Sequence, residues 1–306
     1  MPSKVFCDFQ NQIPAEPPFA ALPVEKIPQE FLDLHIPMLP PDFVPPEPVV
    51  PEGFTAEKVT VGGVPGLHVT GKHSRPGAVH MHIHGGGFTV GSAMDAGPLL
   101  AQFTEATGLE GYSVDYRLAP WHPFPAGIND CVEFYKGLLE LGYKKIVVGG
   151  ESAGGTATLA LVHALKQQGL PLPVCIWCSS PAVDQCYDQK PTYIRDMFLD
   201  TAEGIRKGYV RDADVEDPLV SPIYGDFHDF PPMFLQAGGG ESLAAGVVRL
   251  AVKAIEAGNE VHLHFGKEMP HTFAMDYEHY PEARFALDEF TEFVVRSLEL
   301  DCASAQ

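Results

Sequence analysis

The sequence has no apolar run long enough to span a membrane, which takes roughly eighteen residues or more, so no transmembrane helix is expected. Its first residues, Met1 to Asp8, lack the apolar core of a secretory signal peptide. Cysteine is sparse and irregularly spaced, with 6 in 306 residues, which argues against a disulfide-stapled scaffold. Cys175 and Cys178 have the spacing of a metal or redox pair, but they sit in a strand-like apolar run. Residues three apart on a strand face opposite ways, so buried core thiols are expected instead. A reduced, cytoplasmic protein is the expectation. Basic residues are scarce too: 20 Lys and Arg against 40 Asp and Glu leave a formal charge of −20. Nucleic acid and anionic membrane surfaces would both be repelled, so neither is an expected partner. The chain has no internal repeat, and its glycine-rich stretch Gly85 to Gly91 is not Gly-x-Gly-x-x-Gly and is followed by no Walker lysine, which makes it a weak phosphate-binding signal.

Apolar residues are plentiful, at 45%, enough for a large core. One stretch organises the rest. An apolar run over 145–149 reads as a buried strand, Gly150-Glu151-Ser152-Ala153-Gly154 follows, and 156–165 reads as a helix. Strand, tight Gly-x-Ser-x-Gly turn and helix make a nucleophile elbow. Bulky side chains two positions either side of the serine would clash with their neighbours, and glycine removes that clash. The helix that follows points its N-terminal amides and positive dipole end toward the hydroxyl.

Residues 1–50 are proline-rich, which rules out a sheet strand there, since proline cannot donate to a ladder. A disordered tail would fit the proline content, but a short helix over 28–35 and the apolar residues Phe31 to Phe43 favour a cap packed over a pocket. Residues 57–61 and 64–69, separated by Gly62-Gly63, read as a β-hairpin. Residues 77–84 alternate, with His80, His82 and His84 on one side of a strand. Three such histidines could bind a metal, but no further ligand stands at a suggestive spacing, so no metal is expected. Gly85-Gly86-Gly87 then breaks the strand and lets backbone amides approach a ligand closely. Further strands are expected at 112–115, 174–178, 233–237 and 261–265, and helices at 98–106, 125–139, 243–257 and 281–300. Residues 185–230 have little strand character and form a long insertion, of the kind that usually serves as a lid. Strands alternating with helices after an initial hairpin predict a mostly parallel sheet of about eight strands, covered by helices on both faces.

His84-Gly-Gly-Gly87, Asp115-Tyr-Arg-Leu-Ala-Pro120, Gly150-Glu-Ser-Ala-Gly-Gly155, Asp217-Pro-Leu-Val-Ser-Pro222 and a late histidine occur in this order. Together they resemble the hormone-sensitive-lipase-like esterases, also called bacterial family IV, of the α/β-hydrolases. The resemblance covers about residues 54–300, and the N-terminal 50 fit that family's variable cap. It implies an α/β-hydrolase fold with a cap segment at 1–50 and a catalytic domain at 51–306, to which 185–230 adds part of the cap. It implies hydrolysis of carboxylic esters, usually with short acyl chains, without metal or organic cofactor.

In this fold the acid and base follow the serine in the order Ser, Asp/Glu, His. His271, after the last expected strand, matches the family's histidine, with Thr272 where the family often has glycine. The acid belongs in the turn after 233–237. There Gly238-Gly-Gly-Glu241-Ser-Leu243 stands where the family usually shows Asp-Pro-Leu, and Glu241 takes the Asp position. A glutamate can orient an imidazole as an aspartate does. The expected site is therefore Ser152, Glu241 and His271. The oxyanion donors are the N–H groups of Gly86, Gly87 and Ala153, the two glycines being assigned by the resemblance. His84 is expected to brace its loop, and Glu151 to make a salt bridge or hydrogen bond rather than do chemistry. The expected partner is a small-molecule ester, with a homodimer allowed. An amidase, arylformamidase or peptidase would use the same three residues. A receptor on an inactive hydrolase scaffold is disfavoured, because Ser152 and His271 are both present.

Overall fold

The computed structural model describes residues 2–10, 23, 26–75, 77–185 and 202–304. Its eight strands are β1 (Phe54–Val61), β2 (Val64–Gly71), β3 (Ala78–Ile83), β4 (Glu110–Val114), β5 (Lys145–Glu151), β6 (Cys175–Ser179), β7 (Met233–Gly238) and β8 (Val261–Gly266). They form one sheet in the order β1-β2-β4-β3-β5-β6-β7-β8. β2 runs antiparallel to β1 and β4, and all other neighbours are parallel. The β1–β2 turn is Gly62-Gly63, with φ of 58° and 80°. Positive φ at both central residues is what a two-residue hairpin turn demands.

The helices are α1 (Lys4–Gln10), α2 (Gly97–Thr107), α3 (Ala126–Glu140), α4 (Ala153–Gln168), α5 (Ala202–Tyr209), α6 (Ala244–Glu256) and α7 (Pro281–Ser304). Two core clusters separate them by sheet face. Ile146 and Val148 of β5 pack with Ile128 of α3, Leu159 of α4 and Val247 of α6. Val147, between them, packs with Phe103 of α2 and Phe290 of α7. The same alternation sends Cys178 to the first cluster and Cys175 to the second, as period-two geometry requires. Both thiols are fully buried, in keeping with core cysteines. With helices on both faces, the central strands β5, β6 and β7 are buried almost throughout, whereas edge strand β8 leaves Leu263 and Phe265 exposed. Among the described residues no helix is long and apolar enough to cross a membrane.

The expected elements recur with shifted ends. β5 runs on through Glu151, and α4 starts at Ala153, so no loop separates them beyond Ser152. The helix expected over 28–35 is a 3₁₀ turn, Gln29–Leu34, ended by His35 at a left-handed φ of 51°. α1 is not foreseeable from the sequence. A seven-residue helix is too short to hold by propensity, and it forms because Phe6 inserts beside Tyr280 and the α7 cluster. The Ser3 hydroxyl donates to Glu282 at 2.8 Å and accepts the Phe6 N–H at 3.1 Å.

Residues 26–50 lie across the loop that follows β3. The Leu39 N–H donates to Thr89 O at 3.2 Å, and the Trp121 indole donates to Leu39 O at 2.7 Å. Phe31 meets the Trp121 ring edge-on. Of the 185–230 insertion, residues 186–201 lie outside the described residues. The remainder holds α5 and the 3₁₀ turn Pro222–Tyr224. Asp217 is a loop brace here: its carboxylate accepts the Leu219 N–H at 2.8 Å.

Candidate active site

The carboxyl ends of β3, β5, β7 and β8 converge, the usual place for a site in an open α/β sheet. The centre is Ser152, whose backbone stands at φ 53° and ψ −121°, a sparsely populated region for a non-glycine residue. The surroundings hold it there. The Ser152 N–H donates to Ser179 O at 2.8 Å, and Ser152 O accepts the Thr156 N–H at 3.0 Å. A Cβ on Gly150 would lie 2.2 Å from Ile83 O, and one on Gly154 1.8 Å from the same oxygen. Neither glycine has positive φ, so close approach to β3, rather than backbone freedom, requires both.

His271 follows β8. The Ser152 hydroxyl donates to its Nε2 at 2.9 Å, and its Nδ1–H donates to Glu241 Oε2 at 2.6 Å. The other Glu241 oxygen accepts the Gly238 N–H at 2.8 Å. The Glu241 side chain is fully buried and that of His271 is 10% exposed, so water barely competes for these bonds. Gly238, Gly239 and Gly240 lie backbone to backbone against the loop before His271, with Gly239 N–H on Gly266 O at 2.7 Å and Gly240 N–H on Met269 O at 2.8 Å. A Cβ on Gly238 would sit 2.3 Å from Pro270 O. This contact sets the distance from Glu241 to His271. Thr272 adopts a left-handed φ of 51° and fixes the loop from the other side, its N–H donating to Ser180 Oγ at 2.9 Å.

The turn after β3 supplies the third group of atoms. Gly86 and Gly87 have φ of 104° and 62°, and a Cβ on Gly86 would strike Val90 O at 2.2 Å. The Gly85 N–H donates to Glu151 Oε1 at 2.6 Å, and His82 Nε2–H donates to Glu151 Oε2 at 2.8 Å. Ser113 stands 3.1 Å from the other His82 nitrogen. Burial acts to raise the Glu151 carboxyl, but His82, the Gly85 N–H and His84 together hold it below its ordinary value. His84 donates from Nδ1 to Gly85 O at 2.8 Å and stacks on Tyr116, whose hydroxyl donates to His84 O at 2.8 Å. Burial lowers the pKa of His84. The Asp115-Tyr-Arg stretch is a scaffold for this turn. Asp115 accepts the Ala93 N–H at 2.9 Å, and the Arg117 guanidinium donates to both carboxylate oxygens of Asp130.

The structure thus brings Ser152, His271 and Glu241 into one hydrogen-bonded chain, with Gly86, Gly87 and the first turn of α4 at Ala153 carried by loops that abut it. The first N–H groups of a helix have no intrahelical acceptor, so Ala153 can offer its own to a ligand. The three strand histidines part company. His80 accepts the Trp177 indole N–H at 3.0 Å and stacks on Phe103, while His82 and His84 hold the partners above. Among the described residues no three His, Cys, Asp or Glu are grouped to hold a metal. The sequence did not reveal His82, Tyr116 or Ser180 as supports. Alternation along β3 puts His82 on one face, but nothing local says that Glu151, 69 residues on, is its partner.

Residues 80–275 match the family described as alpha/beta hydrolase fold. The chain is 33% identical to an acetyl-hydrolase of Streptomyces hygroscopicus, over 75% of this chain and 79% of that one. It is 32% identical to an esterase of Acinetobacter venetianus, over 79% and 82% respectively. A solved esterase of the bacterial hormone-sensitive lipase family superposes with a TM-score of 0.77 at 31% identity, covering 81% of this chain and 86% of that one.

Proposed function

Because the chain belongs to the α/β-hydrolase fold family, among its hormone-sensitive-lipase-like esterases, and is a carboxylic ester hydrolase, we propose that it cleaves short-chain esters through an acyl-enzyme on Ser152. The observation that carries this reading is the continuous Ser152–His271–Glu241 hydrogen-bond chain. Ser152 Oγ attacks the ester carbonyl as His271 Nε2 takes its proton. Glu241 keeps the proton on Nδ1, so that Nε2 is the free base, and stabilises the imidazolium that forms. The N–H groups of Gly86, Gly87 and Ala153 receive the tetrahedral oxyanion. His271 then protonates the departing alcohol, and water repeats the sequence on the acyl-enzyme.

Residues 26–50 and α5 form the cap in this reading, supported by their packing against the turn after β3. A pocket roofed in this way favours short acyl groups, in line with the acetyl-hydrolase among the relatives. The buried thiols of Cys131, Cys175 and Cys178 agree with a reduced, cytoplasmic setting. A fluorophosphonate should add once per chain, at Ser152, and abolish hydrolysis of p-nitrophenyl esters. Labelling elsewhere, or full activity in Ser152→Ala, would remove the mechanism.

A further inference from the structure

α5 lies against the turn that carries the proposed oxyanion donors, and it does so with two side chains. Ile205 Cδ1 is so close to Gly87 that a Cβ there would lie 2.9 Å from it. One turn on, Tyr209 stacks flat on Phe88, ring centres 3.8 Å apart and planes 2° from parallel. The neighbouring face of α5, about 100° around the helix, is nearly bare. A Cβ on Gly204 would fall 1.8 Å from Leu34 O, and one on Gly208 3.2 Å from both Ile36 and Leu34 side chains. Glycines four apart make one smooth helix face, and the Leu34–Ile36 backbone is seated on it. Ile205 is wedged between that segment and Gly87, in a small cluster with Phe31, Ile36, Met38 and Trp121.

We propose that Ile205 determines substrate size by forming the wall beside Gly87 that stops the acyl chain, with the Leu34–Met38 segment holding it in place. This rests on the ester-hydrolase reading of Ser152. The orientation follows from the sheet order. Glu241 and His271 follow β7 and β8, on one flank of Ser152, while Gly87 and Trp121 follow β3 and β4, on the other. The alkoxy oxygen of the ester must face His271, which protonates it. With the carbonyl oxygen on the glycine amides, the acyl chain is left to the β3–β4 flank, where Ile205 stands.

The test compares kcat/KM for p-nitrophenyl acetate, butyrate and octanoate in the wild type, Ile205→Ala, Ile205→Val and Ile205→Phe, each normalised by fluorophosphonate titration of Ser152. Removing three carbons opens room for more than one methylene, each worth about tenfold or more in an apolar pocket. Ile205→Ala should therefore raise the octanoate-to-acetate ratio by about tenfold or more. Ile205→Val should move it less, in the same direction, and Ile205→Phe should lower butyrate relative to acetate. If all three esters fall by one common factor with a lower melting temperature, Ile205 is packing alone and the proposal fails. Unchanged ratios overturn it as well. Ester hydrolysis without labelling at Ser152 would have a different signature, removing the reading beneath the proposal and the proposal with it.

Discussion

Glu241 reaches His271 at 2.6 Å while its second oxygen turns back onto the N–H of Gly238, three residues earlier in its own turn. A glutamate is one methylene longer than the aspartate common at this position, and the fold-back absorbs that length. Glu241→Gln keeps the size and can still accept from Gly238. Its amide N–H₂, however, would face Nδ1 and favour the tautomer with the proton on Nε2, which then cannot accept from Ser152. The expected result is a folded protein with kcat lowered by about 10³ to 10⁴. Glu241→Asp should regain only part of this, because the shorter carboxylate cannot serve both partners. If Glu241→Gln stays within about tenfold of wild type, about 1.4 kcal/mol of barrier, the acid is another residue.

Glu151 makes a second prediction. Its carboxylate ties Gly85 to His82, and through Gly85 it positions the glycines that follow. It does not touch the proposed nucleophile's proton path. Glu151→Ala would leave a backbone N–H and a buried imidazole without their acceptor. Losing one oxyanion donor outright costs about 10² to 10³ in rate, and a loosened turn should cost less, about tenfold to a hundredfold in kcat. KM should change little, since the turn acts on the transition state. Glu151→Gln, whose amide oxygen can still accept from Gly85, should recover most of the loss. A variant that is merely less stable, with wild-type kcat below its melting temperature, would rule out this positioning role.

The elbow could be read because its parts are contiguous: strand, turn and helix follow one another within residues 145–168, and local chemistry determines each. Glu241 and His271 could be read because chain order and strand ends restrict where they lie. The supports could not. His82 and Glu151, Gly87 and Ile205, Leu34 and Gly204 meet only through tertiary packing, and no periodicity encodes which residue faces which across elements. Gly238 to Gly240 look like flexible slack before Glu241, but they serve to seat one backbone against another.

Two truncations should separate the roles of the N-terminal region. Removing residues 1–25 takes α1 and Phe6 from the α7 cluster, where Phe6 is 2% exposed. That burial is worth about 2 to 3 kcal/mol, so the melting temperature should fall while ester selectivity stays the same. Removing residues 1–45 also takes Phe31, Leu34, Ile36, Met38 and Leu39 from α5 and Trp121. Chain-length preference should then change as well. Identical selectivity in the two truncations would show that residues 26–45 do not shape the pocket.

The last prediction concerns acid. His163, on α4, is 4% exposed, between the Phe227 and Phe230 rings, and donates from Nε2 to Pro222 O at 3.2 Å. Burial pushes its pKa down to about 4, assisted by Lys166 and Lys253 and opposed by the Pro222 carbonyl. In the unfolded chain a histidine titrates near 6.5. Above that pH neither state binds the proton, and the full stability is present. As pH falls from about 6.5 to about 4 the unfolded chain gains a proton that the folded one refuses, so stability declines. At about 1.4 kcal/mol per pH unit, the loss reaches roughly 3 kcal/mol by pH 4, where the folded state begins to protonate and the decline from this group ends. His80, whose pKa burial also lowers, adds to the same trend. His163→Gln separates the two, because glutamine can still donate to Pro222 O but does not titrate. Denaturant unfolding at a series of pH values should show the variant less stable than wild type at neutral pH, the gap narrowing by about 2 to 3 kcal/mol as pH approaches 4. A gap that stays constant across the series would mean that His163 protonates as readily in the folded protein as outside it.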